Sequence, residues 1–284
     1  MLLMRKLLVM MLLTMTAMVT IACSAKESVD EKTILKFVKN QVVKNKDVNV
    51  LGITIIERKS VKELPGWEVL LVTLQLEYNN QKLNAPETFF VRDNVITPVL
   101  VDLKTGVNYR EEIKPTVSNE VYDKNHLLAG NANAKHKILV FSDPLCPFCQ
   151  EIIPELLNTA KANPDVMAVY YYHLPLKQIH PASGVLTRIM EVAQKQGKND
   201  IVAKIYTLQI DPNDTNETNL INTVKDQTGF GVTPAQINSP EIINALTHDE
   251  QVASRLMVTG TPTIYIDGKL DKLREGFRDL LPKK

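Results

Sequence analysis

The sequence predicts an α/β chain in two units, a small α+β unit in front and a βαβ unit with a helical insertion behind it. Three observations lead there. Helical and strand periodicities alternate in a set order, a polar stretch divides the chain near its middle, and two of the three cysteines stand three residues apart in a strand-to-helix turn.

Each element follows in order. VDEKTILKFVKNQVVKN (29–45) places Ile34, Leu35, Val38 and Val42 on one stripe and predicts a surface helix. VNVLGITIIE (48–57) and WEVLLVTLQLEY (67–78) are β-branched and apolar, with Pro65-Gly66 between them, and predict two strands. Strand character continues through TFFVRDNVITPVLVDL (88–103), broken at Asp93-Asn94, and a turn at Asp102–Gly106 closes the unit. The front unit, 29–114, carries no histidine, no Gly-rich phosphate loop and no paired carboxylates of obvious spacing, so it reads as a partner surface rather than an active site. PTVSNEVYDKNHLLAGNANA (115–134) is polar, interrupted by Pro115 and Gly130, and predicts a linker.

The second unit, 135–284, opens with the apolar strand HKILVFS, which runs straight into the cysteine pair. CQEIIPELLNTAKA follows as a helix that Pro154 kinks or restarts, and DVMAVYYYHLPL (165–176) is the next strand. Strand–helix–strand at this spacing is a βαβ unit, whose first loop lies where open α/β sheets place their sites. Four helical patterns between about 180 and 250 form the insertion: SGVLTRIMEVAQKQG, NDIVAKIYTLQI, NLINTVKDQTGF and PEIINALTHDEQVASRLM. VTGTPTIYIDG (258–268) returns to a short strand, Thr263 to Ile266, and KLREGFRDLL predicts a closing helix.

Compartment and charge narrow the function. MLLMRKLLVMMLLTMTAMVTIACSA has a basic start at Arg5 and Lys6 and an apolar run to Ala22, the layout of a secretory signal over 1–22; a short uncleaved anchor is the alternative. Both place the remainder outside the cytoplasm. Thr20-Ile21-Ala22-Cys23 resembles a lipoprotein cleavage box, which would make Cys23 the acylated first residue, against ordinary cleavage near Ala22 or Ala25. With 33 basic and 32 acidic residues the surface is near neutral, giving no reason to expect nucleic acid as a partner.

Three cysteines are too few for a disulfide-stapled scaffold. No histidine stands within reach to complete a zinc site with Cys146 and Cys149, which leaves zinc shared across a dimer as the metal alternative; no metal is expected. Gln150 stands where a covalently attached haem needs histidine, and no other cofactor is implied. Redox exchange fits the pair better. Cys146 at a helix start would be favoured as thiolate by unpaired N–H groups and the helix dipole, Pro147 suits the first turn, and Cys149 falls on the same face within bridging reach. Cys146 is then the attacking sulfur and Cys149 the resolving one. Phe148 adds no charge, so the pair alone does not set the direction of exchange. Thr261-Pro262 reads either as a plain turn or as a cis X-Pro loop facing the cysteines, where the Thr261 backbone would pair with an extended substrate.

VFSDPLCPFCQ and VTGTPTIYIDG together resemble the thioredoxin-fold bacterial Dsb proteins, most closely the periplasmic disulfide isomerase and chaperone branch, DsbC and DsbG. Asp143-Pro144 before the cysteines, Thr261 where DsbA-type oxidases usually have valine, and apolar Val140 where thioredoxins carry a buried acid favour that branch. GNANAKHKILVFSD and YYHLPLKQIHP are similar to DsbA-type sequences. The resemblance implies a thioredoxin-like fold with a helical insertion, preceded by a small α+β N-terminal dimerisation domain, and a homodimer in the periplasm. It implies unfolded or misoxidised exported proteins as substrates, with a DsbD-like membrane thiol donor, or a DsbB-like acceptor for an oxidase. Disulfide isomerase, dithiol oxidase and non-redox chaperone or binding module remain the three readings, in that order.

Overall fold

The computed structural model describes residues 29–281, so the signal and the Cys23 readings lie outside the described residues. Helix α1 (Glu31–Phe37) begins where the Asp30 carboxylate accepts from Thr33 N at 2.8 Å, and it continues into one wider π-type turn, Val38–Val42. Its Ile34 and Val38 are fully buried against an antiparallel sheet in the order β1 (Val48–Ser60), β2 (Glu68–Tyr78), β3 (Gln81–Arg92), β4 (Val95–Thr97). The unbroken apolar run of β2 has a simple cause: both faces are covered. Leu70, Val72 and Leu74 meet α1, while Val69 and Leu71 meet Val61, Trp67 and Tyr109 on the reverse face. Helix α2 (Tyr109–Glu112) supplies that Tyr109.

The expected strand over 88–103 is displaced. β3 starts at Gln81, because Asn79 and Asn80 take positive φ in a tight turn from β2, and pairing ends at Thr97 before Pro98, which has no N–H to donate.

The linker predicted over 115–134 is not a linker. Thr116 donates its N–H and hydroxyl to Glu57 of β1, at 2.8 and 2.7 Å, and beyond it the chain joins the second sheet. Val121 is buried there, and β5 (Leu127–Ala129) pairs antiparallel with β7 (Met167–His173). Gly130 has φ +82°, and a Cβ there would stand 1.9 Å from Met167 O, so the glycine that suggested a break is what lets the edge strand approach its neighbour. Polar composition misled because a short edge strand needs few apolar residues.

The second sheet has the order β5-β7-β6-β8-β9, with β6 (His136–Ser142), β8 (Thr263–Ile266) and β9 (Lys269–Leu270). β6 runs parallel to β7 and antiparallel to β8, the central part of a thioredoxin-like α/β architecture. Helix α3 (Pro147–Ala162) makes the crossover and passes unbroken through Pro154. The expected insertion consists of α4 (Ser183–Lys195), α5 (Asn199–Ile205), α6 (Glu217–Thr228), α7 (Pro234–Ile237) and α8 (Pro240–Arg255). The closing helix predicted from KLREGFRDLL is absent: the segment forms a turn and a short 3₁₀ stretch, Gly276–Leu280, anchored by buried Phe277. Asp271 accepts from Leu273 N and Gly276 N, which holds a turn where the helix would start. Among the described residues no helix is long and apolar enough to cross a membrane.

Candidate functional site

Cys146 is the N-cap of α3, extended at φ −70° and ψ 123°, with Pro147 in the first turn where a missing N–H costs nothing. The structure brings Cys146 and Cys149 together and sets Thr261 opposite them. The Thr261–Pro262 peptide is cis, and the Cys146 thiol, in its protonated form, donates to the Thr261 carbonyl at 3.4 Å. Both cysteines are free thiols. Cys146 is the more exposed of the two, but only at 5%, against none for Cys149.

Electrostatics separate the two sulfurs. A hydrogen bond from the Cys149 thiol holds Cys146 down at about 5, against an ordinary thiol near 9.0, despite the opposing effect of its own burial. Thr261 and the backbone N–H groups of Cys149 and Phe148 add to that pull. The hydroxyl of Thr261 is buried and has no hydrogen-bond partner, which leaves it free to donate to an ionised sulfur. Burial, with the bond to Cys146, pushes the Cys149 thiol far above the usual range, so one cysteine is ionised at neutral pH and the other is not.

Asp143 is fully buried and ties the loop before α3 to the loop after β7. Its Oδ1 accepts from Leu145 N at 2.7 Å and Ser183 Oγ at 2.6 Å, and its Oδ2 from Leu176 N at 2.7 Å. His180 Nδ1 stands 3.2 Å from the same Oδ2. A buried carboxylate with this many donors is satisfied, and it fixes the geometry on which Cys146 depends. Phe148, predicted as silent in charge, is 60% exposed, with the Arg274 guanidinium 5.8 Å from its ring centroid. Neighbouring Leu273 is exposed too.

Sequence reasoning missed His180, Ser183, Ser142, Tyr171, Tyr206 and Arg274. His180 lay within a stretch already singled out, YYHLPLKQIHP, but its partner Asp143 is 37 residues away. Ser142 precedes Asp143 and carried no signal of its own. A second polar cluster also went unread. His126 stands between Asp123, at 2.6 Å, and buried Asp249, at 2.9 Å, and stacks on Tyr172 with ring centroids 3.9 Å apart. Burial alone would lower the His126 pKa, but the two carboxylates raise it above its ordinary value. His126, His248 and Asp249 place ligand-type atoms close to one another, yet both ring nitrogens of His126 are already engaged by carboxylates, so the cluster is satisfied without an ion.

A family model described as Thioredoxin matches residues 123–278. A curated relative, the Na(+)/H(+) antiporter NhaA 1 of Mycolicibacterium gilvum, is 21% identical over 152 residues, covering 52% of this chain and 24% of that protein, so the match spans about a quarter of the relative's length. Among solved structures, a periplasmic thioredoxin-like protein from Salmonella enterica serovar Typhimurium is 20% identical at a TM-score of 0.47, covering 58% of this chain and 98% of that one. BdbD from Bacillus subtilis, in its oxidised form, is 16% identical at a TM-score of 0.46, covering 60% and 97%. ScsC of Proteus mirabilis in a compact conformation is 18% identical at a TM-score of 0.45, covering 54% and 74%.

Proposed function

The chain belongs to the thioredoxin family, and from that premise we propose that it is a thiol:disulfide oxidoreductase of the isomerase type, acting on exported proteins in the periplasm. The observation that carries the reading is the asymmetric cysteine pair: Cys146 is slightly exposed and opposite Thr261–Pro262 with its thiol pKa lowered, while Cys149 is fully buried with its thiol pKa raised. The Cys146 thiolate attacks one sulfur of a substrate disulfide, forming a mixed disulfide as the other substrate sulfur leaves with the electron pair. In isomerisation a substrate thiolate then displaces Cys146 and re-pairs the substrate. In reduction Cys149 displaces the substrate sulfur and closes the Cys146–Cys149 disulfide. The exposed Phe148 and Leu273 offer apolar surface suited to an unfolded chain.

The N-terminal unit is assigned dimerisation, a homodimer setting two cysteine sites around one substrate, and a DsbD-like membrane donor keeps the pair reduced. The low thiol pKa of Cys146 favours a second reading. Stabilising the reduced form makes a disulfide more oxidising, which suits a DsbA-like oxidase served by a DsbB-like acceptor. Refolding of scrambled ribonuclease separates the two. The isomerase reading expects the pure protein to restore ribonuclease activity from the scrambled form, and Cys146→Ser to abolish this completely. Cysteines held oxidised in the periplasm, with activity only on reduced ribonuclease, would establish the oxidase instead. Ribonuclease rescue that persists in Cys146→Ser would favour a non-redox chaperone.

A further inference from the structure

Cys149 poses a problem that the pair alone does not solve. In either direction of exchange its sulfur must carry negative charge, as attacking or departing group, yet it is fully buried and burial opposes that charge. The fold places a row of hydroxyls against it. The Ser142 hydroxyl, at the end of β6, is buried beside the Cys149 sulfur and offsets part of the effect of burial on it. Behind it the Tyr206 hydroxyl donates to Ser142 Oγ at 2.6 Å, and the Tyr171 hydroxyl lies 2.6 Å from that of Tyr206. All three residues are buried, Ser142 and Tyr171 completely and Tyr206 at 2% exposure.

Packing does not require this. Phenylalanine would fill either tyrosine site without placing a hydroxyl in an apolar core, where each must find a partner. Each of these hydroxyls has one proton to give, and the row is satisfied if every one donates to the next, from Tyr171 through Tyr206 and Ser142 to the sulfur. Such a chain polarises along its length and strengthens the terminal bond when that sulfur is charged.

We infer that Ser142 is a catalytic residue that stabilises the Cys149 thiolate, and that Tyr206 and Tyr171 are positioning residues that orient and polarise its hydroxyl. The inference rests on the reading of Cys146 and Cys149 as the redox pair. It assigns the step in which Cys149 gives its proton to solvent and attacks Cys146 Sγ. The bond from Cys146 to the substrate sulfur then breaks, and the substrate leaves as a thiolate. In the reverse direction the same hydroxyls receive Cys149 as the leaving thiolate.

The test is rapid mixing of the full, reduced protein with the chromogenic aromatic disulfide dithiobis(nitrobenzoate), which accepts the two electrons. Attack by Cys146 releases one aromatic thiolate, and closure by Cys149 releases the second. Ser142→Ala slows the second release roughly ten- to a hundred-fold and Tyr206→Phe about ten-fold, the scale of a hydrogen bond to a charged group, with a smaller effect in Tyr171→Phe. The first release keeps its rate in all three. A loosened fold would not act on one phase alone, and Tyr206→Phe, which keeps the ring, carries the test if Ser142→Ala does not fold. A second phase at the unaltered rate in Tyr206→Phe, or equal slowing of both phases, overturns the inference. Cys149→Ser distinguishes the premise: it traps an aromatic adduct on Cys146 if the pair is redox-active, and absence of that adduct removes the underlying reading instead.

Discussion

The two sheets of this molecule bury very different chemistry. The N-terminal sheet is covered on both faces by aliphatic and aromatic side chains, and among the described residues its one buried polar side chain is Thr88. The second unit buries Ser142, Asp143, His173, Ser183, Thr187, Glu191 and Asp249. Polar groups cost free energy to bury unless partnered, so a core that collects them is held to a task other than packing. They also concentrate: Ser142, Asp143 and Ser183 surround the loop that delivers Cys146, and the hydroxyl of Ser142 meets Cys149. The contrast sets the buried polar groups in the second unit and an almost wholly apolar core in the first.

Substitutions in each unit sharpen the contrast. The largest effect is expected from Asp143→Ala, which leaves Leu145 N, Leu176 N and Ser183 Oγ without their acceptor inside a buried loop. It should lower unfolding free energy by about 3 kcal/mol or more and also slow Cys146, read by urea denaturation and by the rate of the first aromatic thiolate release. Leu70→Ala, in the middle of β2, should cost a comparable or smaller amount, about 2–5 kcal/mol across such sites, because it opens a cavity under α1. Its release rate should match the parent protein. Loss of Cys146 reactivity in Leu70→Ala under conditions where the protein remains folded would break the division between the units.

Much of this was legible in the sequence, and the failures have physical causes. The cysteine turn, the βαβ crossover and the helices of the insertion carry strong local signals: Pro147 at a helix start, a strand reaching Ser142, and apolar stripes at helical spacing. β5 has the composition of a linker because an edge strand of three residues pairs on one side and needs little hydrophobicity. The C-terminal segment KLREGFRDLL has helical periodicity, whereas Asp271 caps a turn instead. The polar environment of the cysteines was hidden for another reason. Asp143 meets Ser183 40 residues on, and Tyr206 meets Ser142 across 64, so these partners exist only once the sheet has formed.

The fold lowers the thiol pKa of Cys146 while raising that of Cys149. Because the folded value of Cys146 is depressed, its ionisation stabilises the reduced protein fully above the ordinary thiol value near 9.0, and that contribution is lost as pH falls toward about 5. The most direct measurement is the pH dependence of alkylation of the reduced protein by iodoacetamide, with the modified cysteine located by peptide mass mapping. The account predicts modification at Cys146 with a midpoint near 5 and a plateau through neutral pH. A midpoint near 9.0 at Cys146, or modification of Cys149 first, would contradict it.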